Sequence, residues 1–131
     1  MPYQFDFDAT NKIARCRVTG RVTDDELKEC YEKIADFMAL TDPRAAIMDT
    51  SQVTAFEVSR DVILQLASRI PALPHPERIR VIVAPNPLIF GMSRMFGMEG
   101  ERTRPNFHVV RTQQEASAIL GVWEPKFEPY Q

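Results

Sequence analysis

Ala45-Ala-Ile-Met-Asp49-Thr-Ser-Gln-Val-Thr-Ala-Phe-Glu57-Val-Ser59-Arg-Asp-Val62-Ile63-Leu-Gln-Leu66 is the stretch that decides the fold. It opens with a short apolar run at 45–48 closed by Asp49, the pattern of a central strand covered on both faces. From position 58 to about 70 the period changes, with Val58, Val62, Ile63, Leu66, Ala67 and Ile70 at helical spacing. A buried strand that leads into an amphipathic helix is the first half of a strand–helix–strand crossover. Ile79, Val81, Ile82 and Val83 supply the second strand, after a stiff connector carrying Pro71, Pro74 and Pro76 and before Pro85.

Upstream, Tyr3, Phe5 and Phe7 alternate with Gln4, Asp6 and Asp8. After an Asn11-Lys12 turn, Ile13, Arg15 and Arg17 alternate with Ala14, Cys16 and Val18, so two half-buried strands form an N-terminal hairpin ending at Gly20. Thr23-Asp-Asp-Glu26 has the spacing of a capping box, and Leu27, Cys30, Tyr31, Ile34, Phe37 and Met38 then share one stripe of a helix that stops before Pro43. Downstream, Pro87 opens a third helix to about position 98, with Leu88, Met92, Met95 and Phe96 on one face. Alternation over 107–111 gives a last strand, and Thr112-Gln-Gln-Glu115 is a second capping box opening a helix through Ala116, Ile119 and Leu120 to Gly121. The order ββαβαβαβα predicts an α/β domain whose mixed, mostly parallel sheet has about five strands, with an antiparallel N-terminal edge and about four covering helices. That domain is expected over 1–122, followed by an extended tail over 123–131. Pro125 and Pro129 keep the tail from being helical throughout, and Trp123, Phe127 and Tyr130 suit it to lie on a neighbouring copy or back on its own domain.

Composition narrows the function classes. The 131 residues, 44% hydrophobic and 26% charged, are of the size and make-up of one folded domain. A net charge of −2 argues against nucleic acid as the main partner, because phosphate neutralisation needs an excess of Lys and Arg on one face. No segment has the length and apolarity of a membrane span, and the N-terminus lacks a basic and apolar leader pattern, so a cytoplasmic location is expected. Cys16 and Cys30 stand without a Cys or His partner at metal-ligand spacing and read as reduced core thiols; no metal or other cofactor is indicated.

In open sheets of this kind sites gather beyond the C-terminal ends of parallel strands, which points to 49–59, 84–87 and 111–113. The first of these brings Asp49, Ser51, Glu57, Ser59 and Arg60 to the start of the second helix. Ser59 reads as a helix cap, and a phosphate placed there would meet free N–H groups and the helix dipole. Catalysis finds little support. His75 lies between two prolines and His108 within a strand, neither at motif distance from a nucleophile, and no phosphate-loop, nucleophile-elbow or zinc-protease motif is present; an enzyme using Asp49 or His108 is the weakest reading.

The element order, together with Ile47-Met-Asp-Thr-Ser-Gln-Val-Thr-Ala-Phe-Glu-Val-Ser-Arg60, resembles the STAS domain of anti-sigma-factor antagonists, and more closely the STAS-like proteins of bacteria. In that family a strand ending in Asp is followed by an acidic residue and Ser-Ser-Gly opening the second helix. Asp49 then matches the strand-end Asp, Glu57 the acidic residue, Val58 the first serine, Ser59 the phosphorylatable second serine, and Arg60 the glycine. The resemblance runs from about position 3 to 122. It implies a non-enzymatic interaction module that docks a protein partner through 53–61 and the second helix.

A second possibility comes from Phe90-Gly-Met-Ser-Arg-Met-Phe-Gly-Met98, rich in soft side chains that suit an adaptable pocket. Phe90, Met92, Met95 and Phe96 would line a site for a small apolar or amphipathic ligand, and the STAS-like relatives include lipid-carrier-like folds. Plain core packing of the third helix fits the same residues. Arg94, Arg102 and Arg104 flank the segment and read as a solvated loop, or as holders of an anionic group. A homodimer is compatible with either function.

Overall fold

In the computed structural model, which describes residues 2–130, the alternating N-terminal segments form β1 (Tyr3–Asp8) and β2 (Ile13–Thr23), an antiparallel hairpin. Thr23 then caps α1 (Asp24–Thr41): its hydroxyl accepts from the Glu26 N–H while the Glu26 carboxylate accepts from the Thr23 N–H, the reciprocal pair that the sequence spacing predicts. There follow β3 (Ala45–Glu57), α2 (Arg60–Ala67), β4 (Ile79–Val83), α3 (Pro87–Glu99), β5 (Phe107–Val110), α4 (Gln113–Leu120) and β6 (Glu128–Pro129). The strand order is β5-β4-β3-β2-β1-β6, parallel from β2 to β5 and antiparallel at β1 and β6. The mixed, mostly parallel α/β sheet expected from the sequence is therefore present.

Alternation along β2 and β3 splits the core. Ala14, Cys16 and Val18 face α1, α2 and α3 together with Leu27, Phe37, Ile63 and Leu66, whereas Ile13, Ala45 and Ile47 join Val81, Val83 and Val110 beneath Ala116 and Leu120 of α4. The period of two has sent neighbouring residues to opposite layers.

Four elements depart from the sequence reading. The sheet has six strands because the tail returns to it: Asp6 pairs with Pro129 and Phe7 with Glu128, and the Tyr130 N–H donates to the Phe5 carbonyl at 2.9 Å. Proline is tolerated there because an outermost strand can leave one donor missing. The Tyr130 ring meets Phe37 edge-on at 5.0 Å, and the Arg15 guanidinium lies 4.0 Å over Phe127, while Trp123 stays 90% exposed. Second, β3 does not stop at Asp49. β4 ends at Val83, opposite Asp49, and from there β3 pairs with β2 alone, so its side chains lose the buried pattern that marks a central strand. Third, α2 ends at Ala67, where Ser68 turns its hydroxyl onto the Gln65 carbonyl, and Ile70 is left 82% exposed. Fourth, Leu88 points outward, and the buried positions of α3 are Ile89 and Ser93.

Two polar residues of β1, Asp6 and Asp8, are also buried. Asp6 accepts from the Arg15 Nε at 3.0 Å and the Arg17 Nε at 2.6 Å, and Asp8 accepts from Asn11 and from the Lys126 N–H of the tail. Burial alone would raise the Asp8 carboxyl, but the hydrogen bonds from Asn11, Lys126 and Thr10 outweigh it and hold the group below its ordinary 3.8. A depressed native pKa contributes stability in full above the ordinary value and loses it as the pH falls through the lower native one. The urea midpoint should therefore drop as the pH falls below about 4. Asp8→Asn should cost about 1–3 kcal/mol at neutral pH and should show a shallower acid drop than the parent chain.

Candidate functional site

Beyond Asp49 the β2–β3 ladder runs on as a two-stranded parallel ribbon, from Thr19 opposite Gln52 to Thr23 opposite Glu57. Two register shifts accompany it, and beside the second Gly20 adopts φ 72°, a left-handed conformation that glycine takes without a Cβ penalty. Each ribbon strand leads directly into a helix, β2 through Thr23 into α1 and β3 through Val58 and Ser59 into α2. Register therefore sets two helix N-termini side by side. The Ser59 N–H donates to the Asp24 Oδ1 at 2.6 Å, and the Ser59 hydroxyl accepts from the Val62 N–H at 3.2 Å. Arg21 clasps Glu57 through both its Nε and its Nη2, which holds the Glu57 carboxyl below the usual range and raises the Arg21 guanidinium. Both side chains are exposed, so the pair orients the surface more than it stabilises the fold.

The structure divides the five sequence-predicted positions. Glu57, Ser59 and Arg60 are exposed together at the ribbon end, and Val58 beside them turns into the core, which suits valine where the resemblance has a serine. Asp49 and Ser51 lie elsewhere. Asp49 faces α4, accepting from the Ser51 N–H at 2.9 Å and from the Gln113 Nε2 at 2.6 Å, and the intervening strand sets it on the order of 25 Å from Glu57. The expected cluster of two acids and a helix start is thus separated by the unforeseen length of β3. Arg21 and Asp24 join the site instead. The capping box marked Thr23 as a helix start, but only strand register could place it beside Ser59.

A second feature is an apolar cavity of about 150 Å³ between the sheet and α1, α2 and α3, with Cys16, Met48, Phe56, Leu66, Met92 and Phe96 among its walls. Of the four residues expected at a pocket, Met92 and Phe96 line it, and Met95 packs on the same core outside the lining. Phe90 lies apart, beneath the Arg111 guanidinium at 4.0 Å. Cys16 and Cys30 are buried with sulfurs 3.8 Å apart, and that contact together with burial pushes the Cys16 thiol well up.

The three arginines do not converge on a solvated loop. Arg94 and Arg102 are exposed, whereas Arg104 is buried, donating to the carbonyls of Ala67, Leu66 and Arg69 and to the Tyr31 hydroxyl. His75 lies 4.0 Å from Asp42, and His108 bonds the Asn106 Oδ1 at 2.9 Å. Among the described residues there is no group of three metal-ligating side chains and no helix long and apolar enough to cross a membrane.

No family model and no curated protein matches the chain. Among solved structures it is similar to the anti-sigma factor antagonist SpoIIAA in its unphosphorylated form, at 13% identity and a TM-score of 0.59 over 93% of this chain and 99% of that one. It is also similar to the Bacillus cell fate determinant SpoIIAA in the phosphorylated form, at 15% identity and a TM-score of 0.55 over 88% and 96%. The fold is STAS-like.

If the Ser59 hydroxyl acts as the α2 cap, Ser59→Ala should lower stability by about 1 kcal/mol in urea unfolding; an unchanged midpoint would contradict that role. Both thiols should stay silent to an aromatic disulfide reagent in the native protein and react together once denaturant is added.

Proposed function

We propose that this chain is a non-enzymatic, STAS-like regulatory module of the cytoplasm that docks a protein partner at the ribbon end, through Glu57, Ser59, Arg60 and the outer face of α2. The observation that carries the reading is the exposed Ser59 hydroxyl capping α2 in a fold like that of SpoIIAA, a protein solved both with and without phosphate. A phosphate on Ser59 would gain the helix dipole and meet the Asp24 carboxylate that now accepts the Ser59 N–H. Attraction and repulsion on the same group make phosphorylation a means of remodelling this surface rather than strengthening it. Asp49 and Ser51 lie too far along β3 to share the docking surface, and Asp49 serves α4 through Gln113.

A second reading is favoured by the cavity: a carrier of a small apolar or amphipathic molecule held against Met92 and Phe96. Intact native mass spectrometry of protein from its own host addresses both, and reports self-association in the same spectrum. The docking reading expects an added phosphate mapping to Ser59 in a fraction of the molecules. It also expects that the triple substitution of Glu57, Ser59 and Arg60 by alanine releases a partner that the parent chain retains. A partner retained by the triple variant would place docking elsewhere, and a co-purifying small molecule on an unphosphorylated chain would put the carrier reading first.

A further inference from the structure

Arg80 and Arg104 are 8% and 3% exposed, both border the apolar cavity, and among the described residues neither has a carboxylate within 4.0 Å. A buried guanidinium without an acidic partner is costly. The protein offsets that cost with main-chain carbonyls. Arg104 takes the end of α2, and Arg80 takes the connector before β4, reaching the carbonyls of Leu73, His75, Arg78 and Pro76. Carbonyl dipoles supply only partial charge, and the satisfaction is incomplete. The Arg80 Nε is buried with no hydrogen-bond partner, whereas the Nη groups of both arginines are engaged, those of Arg80 by connector carbonyls and those of Arg104 by carbonyls at the end of α2 and the Tyr31 hydroxyl. Burial first, and then the neighbouring Arg104 charge, lower the Arg80 pKa, so the two cations act on one another. The remaining wall is mostly hydrocarbon and sulfur, with Tyr31, Thr50 and Ser93 as its hydroxyl-bearing members, and an apolar cavity of this volume holds a body the size of a single six-carbon ring.

We propose that the cavity takes a small monocarboxylate with an apolar body of about six carbons, its carboxylate lying against the Arg80 and Arg104 guanidiniums and its body between Met48, Met92 and Phe96. The carboxylate would supply the missing negative charge and accept a charge-assisted hydrogen bond from the idle Arg80 Nε. The inference rests on the carrier reading of the same cavity, and it adds the chemical class of the ligand.

The test compares hexanoate with 1-hexanol, matched in chain and different in head group, on the full chain, by calorimetric titration and by methyl NMR of Met48 and Met92. Hexanoate should bind at least ten times more tightly than hexanol, with both methionine methyls shifting. Ser93→Leu, which fills the cavity from the buried face of α3, should abolish binding of both probes. Equal affinities, both lost in Ser93→Leu, would overturn the carboxylate assignment and leave the cavity reading in place. No methyl shift with either probe would overturn the carrier reading itself.

Discussion

The parallel ladder between β2 and β3, from Ile13 opposite Ala45 to Thr23 opposite Glu57, is the constraint on which the rest of the molecule depends. In its first half it lies inside the sheet, flanked by β1 and β4, and its alternation sends side chains into the two core layers. In its second half it has no further strand partner, and both of its strands lead into helices. Because the two strands are parallel and the two register shifts absorb the greater length of β3, they finish together, and both helix starts are delivered to one place. The Ser59 to Asp24 hydrogen bond closes that junction.

The two candidate sites share walls. Phe56 belongs to the ribbon and Ile63 to α2, and both also line the cavity, together with Val53. A molecule that filled the cavity would press on the residues that set the position of the ribbon end. A partner at the ribbon end would bear on the same side chains from outside. Binding at one place is therefore mechanically adjacent to the other, although coupling between them would require two arrangements of these residues that differ in energy.

Much of the architecture was legible. Helix starts could be read from Thr23 and Thr112 because a cap is a local hydrogen bond between residues three apart, and such spacing survives in a linear sequence. Strand alternation placed β1 and β2 for the same reason. What escaped depends on distant partners. The length of β3 past Asp49 comes from pairing with β2 alone, and the exposed, mixed stretch of 50–57 looks like a loop until that partner is known. The burial of Asp6 and Asp8 depends on two arginines of β2 and on a tail more than a hundred residues away. Charge alone predicts exposure for Arg104, and the carbonyls at the end of α2 together with the Tyr31 hydroxyl account for its burial. The candidate site is half legible: spacing alone places Glu57, Ser59 and Arg60 at the start of α2, whereas Asp49 reads as their neighbour until the pairing with β2 shows 50–57 to be strand rather than loop.

Amide hydrogen exchange across 50–59, read residue by residue by NMR, tests most directly whether this site is a rigid ribbon end. Paired ribbon amides over 52–57 and the Ser59 amide held by Asp24 should exchange far more slowly than the exposed turn amide of Lys12. Exchange across the whole segment at the rate of an unstructured chain would contradict the ribbon, the pairing of the two helix starts and the docking surface built on them.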